Sequence, residues 1–219
     1  MACGGSQEKP FGDAGDGVMI LPESAAAISN RIEAIRRRIA RAALRAGRDP
    51  AAVTLVAVSK TFPAESVRRA LAAGQRDFGE NRVREAAAKM EELAGEPARW
   101  HLVGHLQSNK ANTAVGRFAL IHSVDSARRI EALEKRAATL EVRQAILLQI
   151  NVSGEEGKFG APSDGLEDLI VALRRAPHLE CQGLMTIPPW SEDPEQARPH
   201  FARLRELLAR LPEEENIRP

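Results

Sequence analysis

From residue 53 onward, short apolar segments alternate with amphipathic helical segments, and this alternation limits the folds open to the chain. Six segments are predicted as strands: residues 53–58, 76–78, 100–103, 118–124, 145–152 and 179–187. Predicted helices cover residues 64–73, 82–93, 108–115, 127–138, 165–175 and 194–211. Such alternation indicates βαβ units and a parallel sheet. The closed arrangement of such units is the α/β barrel of the (β/α)8 TIM type, of which the chain supplies about six of eight strands.

The residues before the first predicted strand form two segments. Residues 1–23 are rich in glycine and polar residues and are predicted to be a disordered tail without a secretory signal. Residues 24–46 are predicted to form an amphipathic helix, because Ile28, Ile32 and Ile35 recur at helical spacing. We therefore divide the chain into a tail, residues 1–23, and a single α/β domain, residues 24–219.

Composition and charge argue against several classes of function. The 219 residues carry a formal net charge of +1, with 43% apolar and 28% charged residues, as in an ordinary soluble globular protein. Bulk electrostatics indicate no nucleic-acid partner, and the arginine-rich side of the first helix is predicted to be a solvated face. No apolar run approaches the roughly 20 residues that span a bilayer. Cys3 and Cys181 form neither a disulfide framework nor a metal-ligand spacing, so both are predicted to be unpaired in the cytoplasm.

Lys60 directly follows the first predicted strand, which is expected to be buried on both faces. In parallel α/β folds, functional residues lie at the carboxyl ends of the strands. The side chain of a lysine held there can be desolvated, and its neutral amine can then attack an aldehyde to form a Schiff base. The alternative is a solvated lysine at the end of a strand.

Three other residues follow predicted strands and are candidates for the same site. Asn81 follows the second strand, where it can line a pocket or cap the next helix, and capping is slightly favoured. His105 follows the third strand and is interpreted as a pocket wall. Met185, at the end of the sixth strand, can pack on a cofactor ring or in the core. The histidines His101, His105 and His122 have no cysteine or carboxylate motif at metal spacing, so no metal site is predicted.

Six short blocks of sequence lie at the predicted strands and the loops that follow them. They read AVSKT at 57–61, FGEN at 78–81, WHLVGHLQSNK at 100–110, IHSVDS at 121–126, NVSGEEGKFG at 151–160 and GLMTIP at 183–188. In this order and spacing, the blocks resemble the pyridoxal phosphate homeostasis protein family, which has the alanine-racemase N-terminal type of barrel. The resemblance covers about residues 26–211.

The resemblance implies that Lys60 holds pyridoxal 5′-phosphate (PLP) as an internal aldimine. It further implies a single-domain, mostly cytoplasmic protein that carries or buffers the cofactor for vitamin B6 homeostasis without catalysis of its own. We expect a monomer without a membrane partner. Two alternatives stay open. One is a PLP-dependent racemase or decarboxylase, although alanine-racemase chemistry pairs the lysine with a tyrosine and the chain contains no tyrosine. The other is a binding-defective remnant that interacts through its arginine-rich helix.

The end of the sequence departs from the family pattern. A family member continues after the last helix with a Ser-Met-Gly-Met-Ser type strand end, another helix and a strand with an Arg-Ile-Gly block. This sequence ends instead with residues 213–219, which read EEENIRP. Barrels of this kind often hold phosphate at the loops after the seventh and eighth strands. We therefore expect an incomplete barrel and a labile, low-occupancy cofactor adduct.

Overall fold

The fold is a parallel α/β sheet with helices between its strands. The computed structural model describes residues 24–217, so the predicted tail and Cys3 lie outside the described residues. The strands are β1 (Ala57–Val58), β2 (Asp77–Glu80), β3 (Arg99–Leu102), β4 (Leu120–Val124), β5 (Gln144–Asn151), β6 (Ala161–Pro162) and β7 (Leu179–Met185). The helices are α1 (Ala25–Arg45), α2 (Ala64–Ala72), α3 (Val83–Glu92), α4 (Ala111–Ala114), α5 (Ala127–Leu140), α6 (Leu166–Leu173) and α7 (Arg198–Leu208).

The order of the strands confirms the predicted barrel type and its incomplete closure. Every pair of neighbouring strands is parallel, and the order is β1-β2-β3-β4-β5, with β7 and the short β6 both pairing with β5. The unpredicted β6 adds two residues beside the end of β5. Within the described part of the chain, β1 and β7 are not paired with each other, so the sheet is open between them.

The two faces of the sheet differ sharply. Successive side chains of a strand point to opposite faces of the sheet, so residues two positions apart share a face. The outer face carries Phe78, Leu102 and Ile121, each at most 1% exposed, and packs against the helices. The inner face, which would line a closed barrel, carries Gly79 and its register partner His101. The outer face is therefore apolar and packed against the helices, whereas the inner face is partly polar.

The first strand differs from the prediction. Residues 53–58 were expected to form a strand buried on both faces, but β1 has two residues, and Val53 and Val58 are 37% and 47% exposed. The reason is the position of β1 at one end of the sheet, where only β2 pairs with it and the inner face is open. The prediction of a fully buried strand is therefore wrong, although the strand itself is present.

The amino-terminal helix α1 lies against α2 on the outside of the sheet. Ser24 caps it by accepting a hydrogen bond from the Ala27 amide at 3.2 Å, as residues of this type do at N-caps. Ile32 is buried, whereas Ile35 is 40% exposed, so only part of the predicted apolar stripe reaches the core. Arg36 donates to the Gly74 carbonyl at 2.8 Å. One residue of the arginine-rich side, Arg36, thus binds α1 to the segment that follows α2.

The residues after α7 return to the sheet beside β7. Ile217 forms a parallel bridge with Cys181, whose amide donates to the Asn216 carbonyl at 2.8 Å. The Asn216 side chain donates to the Leu173 and Ala176 carbonyls at 2.7 and 3.1 Å, where α6 ends. Cys181 is a buried free thiol. The segment therefore starts to extend the sheet in the parallel sense beyond β7.

Candidate functional site

The four predicted site residues lie at the carboxyl ends of strands. Lys60, Asn81 and His105 follow β1, β2 and β3, which are neighbours in the sheet, and Met185 ends β7. The ladder continues past β1, because the Ser59 amide donates to the Gly79 carbonyl at 2.9 Å. Because parallel strands end at the same edge, the fold brings the first three residues to consecutive positions along one rim. Met185 belongs to the other end of the sheet.

A buried polar network lies directly beneath Lys60. Ser59 Oγ donates to Glu80 Oε1 at 2.7 Å, and Lys89 Nζ donates to the same oxygen at 2.7 Å. Glu80 is fully buried, and the Lys89 side chain is 9% exposed. Lys60 itself is exposed, so the expected desolvation of its amine is not seen. The cause is the open inner face next to β1.

Asn81 contributes its backbone to the packing between β2 and β3. The N-cap of α3 is Arg82, so the favoured interpretation of Asn81 as the helix cap is wrong by one residue. A Cβ atom at Gly104 would come within 2.2 Å of the Asn81 carbonyl oxygen. The strand ends that carry Asn81 and His105 therefore approach closely only because residue 104 has no side chain.

His105 is held between an arginine and an aromatic ring. Arg129 Nη2 lies 2.8 Å from His105 Nε2, and the Phe159 ring stacks on the imidazole at a centroid distance of 3.9 Å. Burial, together with the Arg129 charge, lowers the pKa of His105. Because an arginine only donates, Nε2 accepts and the proton of the neutral ring lies on Nδ1. His105 Nδ1 is buried and has no hydrogen-bond partner among residues 24–217.

Met185 is linked to this region through β5 and the loop after it. It pairs with Gln149 in the register of β5 and β7, and Gln149 Nε2 donates to the Phe159 carbonyl at 3.2 Å. The loop that carries Phe159 therefore spans from the end of β5 to His105. In the same loop, Lys158 Nζ is buried and lies 2.8 Å from Glu155 Oε2.

The inner face of the sheet carries a chain of polar side chains below the rim. Asp77 Oδ1 lies 3.1 Å from His101 Nε2, and His101 Nδ1 lies 2.9 Å from His122 Nε2. Arg99 donates to the other carboxylate oxygen of Asp77 at 2.7 Å. Among the residues that the structure describes, no group of three or more side chains is arranged to hold a metal ion.

Comparison with known proteins identifies the family. Residues 31–219 match the alanine racemase N-terminal domain. The pyridoxal phosphate homeostasis protein of Pseudomonas aeruginosa is 46% identical over 185 residues, which cover 84% of this chain and 80% of that protein. The pyridoxal phosphate homeostasis protein of Aquifex aeolicus is 39% identical over 187 residues, which cover 85% of this chain and 82% of that protein. The chain belongs to the pyridoxal phosphate homeostasis protein family.

Solved structures agree with this family assignment. PipY of Synechococcus elongatus PCC7942, solved with PLP bound, is 37% identical and superimposes with a TM-score of 0.72, covering 83% of this chain and 80% of PipY. A histidine racemase from Leuconostoc mesenteroides is 16% identical with a TM-score of 0.66, covering 89% of this chain and 50% of the racemase, and shows the shared fold alone. None of the described helices is long and apolar enough to cross a membrane.

Several residues of this family member's rim were not predicted from sequence. Phe159 and Arg129 both contact His105, and Glu80 and Lys89 form the network under Lys60. Phe159 lies within a recognised block, where a single aromatic residue in a glycine-bounded loop was the only signal. Glu80 lies on β2 and Lys89 on α3, so no local pattern in α3 reveals their contact.

We expect the partly buried pair of His101 and His122 to make the protein sensitive to acid. Burial and the nearby His101 lower the pKa of His122 to about 4, from an ordinary value of 6.5. The unfolded chain therefore takes up a proton at His122 at a higher pH than the folded chain does. Its contribution to stability is complete above pH 6.5 and is lost as the pH falls toward 4, by about 3 kcal/mol in all.

Urea unfolding of the wild type and of His122→Gln at several pH values between 7 and 4 tests this expectation. The glutamine Nε2 can still donate to His101 Nδ1 but does not titrate. The free energy of unfolding should fall less steeply with decreasing pH in the variant. Parallel curves for the two proteins would contradict the assignment of the acid sensitivity to His122.

Proposed function

We propose that this chain binds PLP through Lys60 and serves in PLP homeostasis without catalysing a reaction of its own. The observation that carries the proposal is the position of an exposed lysine amine at the carboxyl end of β1, within a rim of neighbouring strand ends. The homeostasis proteins related to this chain and the PLP-bound structure of PipY support the choice of cofactor.

The residues at the rim fit the chemistry of this cofactor. PLP supplies an electrophilic aldehyde carbon, and Lys60 supplies the primary amine that holds it as a Schiff base. The buried, unpartnered Nδ1–H of His105 is a hydrogen-bond donor that a polar ligand group can use. Asn81 and Met185 are the other candidate contacts, from the ends of β2 and β7.

A second lysine near the rim is a weaker candidate for the covalent bond. Lys89 Nζ donates to the Ser59 carbonyl at 2.6 Å, to Glu80 at 2.7 Å and to Glu85 at 3.1 Å. All three of its protons therefore have acceptors, and its side chain is largely buried. An amine in this state cannot attack an aldehyde without breaking the network, which favours Lys60.

Reductive trapping tests the proposal directly. The full chain is incubated with PLP, reduced with borohydride and digested, and the labelled peptide is identified by mass spectrometry. We expect the label on the peptide that contains Lys60. A label mainly on Lys89, or spread evenly over the lysines of the chain, would contradict the proposed anchor.

The absence of catalysis is a separate part of the proposal. Racemisation of the alanine-racemase kind pairs the lysine with a tyrosine, and the chain contains no tyrosine. We expect the PLP-loaded chain to racemise and decarboxylate amino acids no faster than free PLP does. Faster turnover by the chain, lost on heating, would favour an enzyme instead.

The same proposal includes the setting of the protein. We propose a cytoplasmic monomer of one α/β domain, residues 24–219, preceded by the tail and without a nucleic-acid partner. The formal net charge of +1 supports the last point, because binding to a polyanion relies on an excess of basic residues. Sedimentation of the purified chain, alone and with duplex DNA, measures its oligomeric state and its binding to DNA.

A further inference from the structure

The residue after Lys60 has an unusual backbone conformation. Thr61 has a φ angle of +67°, in the left-handed region that β-branched residues rarely enter. Such a conformation persists only where neighbouring groups hold it, and it is concentrated at functional sites. The side chains that hold Thr61 therefore also determine the path of the backbone at Lys60.

Two side chains from α3 hold the peptide groups on both sides of Lys60. The Thr61 amide donates to Glu85 Oε1 at 2.8 Å, and Lys89 Nζ donates to the Ser59 carbonyl at 2.6 Å. Glu85 and Lys89 are bound to each other, with 3.1 Å between Oε1 and Nζ. One ion pair thus holds the carbonyl group of Ser59, before Lys60, and the amide of Thr61, after it.

The charges of this arrangement favour its persistence. Burial alone would raise the pKa of Glu85, but the hydrogen bonds from the Thr61 amide and from Lys89 outweigh it, so that the pKa lies below its ordinary value. The carboxylate is therefore ionised near neutral pH and accepts from both donors. Glu80, on the other side of Lys89, adds a second carboxylate and anchors the lysine in the core.

We propose that Glu85 and Lys89 are positioning residues that set the backbone at Lys60 and so direct its amine toward the cofactor. This inference rests on the proposed function of Lys60 as the anchor for PLP. Neither residue has to contact the cofactor, because both act through the peptide groups that flank Lys60. Small errors in the placement of a reacting group can cost large factors in rate.

The test compares three glutamate variants in the full chain. Glu85→Ala removes the acceptor for the Thr61 amide, whereas Glu85→Gln keeps an oxygen at that position. Glu134→Ala is the matched control, because Glu134 also accepts from a backbone amide and a side chain, those of His178 at 3.0 and 2.7 Å, away from Lys60. Folding is checked for each variant by circular dichroism, and all rates are measured well below its unfolding temperature.

The readout is the rate at which excess PLP forms the borohydride-trappable adduct on Lys60. We expect the rate to fall by about tenfold in Glu85→Ala and to stay within about twofold of the wild type in Glu85→Gln and Glu134→Ala. Faster hydrogen exchange of the Thr61 amide should accompany the loss in Glu85→Ala only.

The outcomes separate this inference from the proposal on which it rests. If the wild type is labelled at Lys60 and Glu85→Ala reacts as fast as Glu134→Ala, the positioning role is wrong and the anchor stands. Equal slowing in Glu85→Gln and Glu85→Ala, with the Thr61 amide still slow to exchange in Glu85→Gln, would also overturn it, because the rate would then not depend on the bond to Thr61. A wild type that carries no label on Lys60 would overturn both.

Discussion

Replacing Lys60 with alanine is expected to reduce the trapped PLP adduct at least about tenfold, to the level of nonspecific labelling of surface lysines. The reason is chemical, because a covalent bond to an aldehyde requires a primary amine at that place. Lys89, in the buried polar network, is the alternative amine, but it already donates its three protons to Ser59, Glu80 and Glu85. The variant should fold normally, since the Lys60 side chain is exposed.

Two further variants make this result specific. Lys60→Arg keeps the positive charge but cannot form the Schiff base, so it should lose the adduct as completely as Lys60→Ala. Lys135→Ala removes an exposed lysine from α5 and should be labelled like the wild type. The measurement is the amount of PLP per chain after reduction and denaturation. An undiminished adduct in Lys60→Ala would show that the rim of β1 is not the anchor.

The class of fold could be predicted from sequence because its signal is local. Alternating apolar runs and amphipathic helices reveal βαβ units, and the units were found at nearly the positions that the structure gives them. The exposure of β1 could not be predicted in this way. It depends on which strands flank a segment in space, and the composition of residues 53–58 is the same at an edge as in the middle of a sheet.

The candidate site was predictable only in outline. Position after a strand correctly placed Lys60, Asn81 and His105 on one rim, because parallel strands end together. What surrounds them depends on contacts between distant segments. Phe159 reaches His105 from a loop more than fifty residues later in the chain, and the bond from Thr61 to Glu85 joins a strand end to a helix. Such pairs have no spacing rule that a single sequence can reveal.

The error at Asn81 has the same origin on a smaller scale. Asparagine is a good N-cap residue, and the helix was expected to start immediately after it. In the structure the N-cap is Arg82, whose side chain makes no capping hydrogen bond. Asn81 instead lies where its carbonyl oxygen meets Gly104. Contact between β2 and β3, which the local sequence does not encode, therefore sets the position of Asn81 relative to the helix.

Replacing Gly104 with alanine is expected to destabilise the domain by about 4 kcal/mol, or to prevent folding, because of this contact. The added Cβ would lie 2.2 Å from the Asn81 carbonyl oxygen and 2.5 Å from its Cα, and these backbone atoms cannot rotate away. Relief requires the ends of β2 and β3 to separate. That movement would strain the hydrogen bond from the Val103 amide to the Glu80 carbonyl, now 2.9 Å long.

Two other glycines provide a graded control for this prediction. At Gly79 an added Cβ would meet a Val58 methyl at 3.2 Å, a side-chain contact that can adjust, so Gly79→Ala should cost about 1 kcal/mol. At Gly165 the nearest atom would be a Pro162 ring carbon at 3.4 Å, so Gly165→Ala should change stability by less than about 0.5 kcal/mol. Urea unfolding of the three variants measures the series. If Gly104→Ala is as stable as Gly165→Ala, the strand ends have room for a side chain, and the close approach of Asn81 to residue 104 does not hold this rim together.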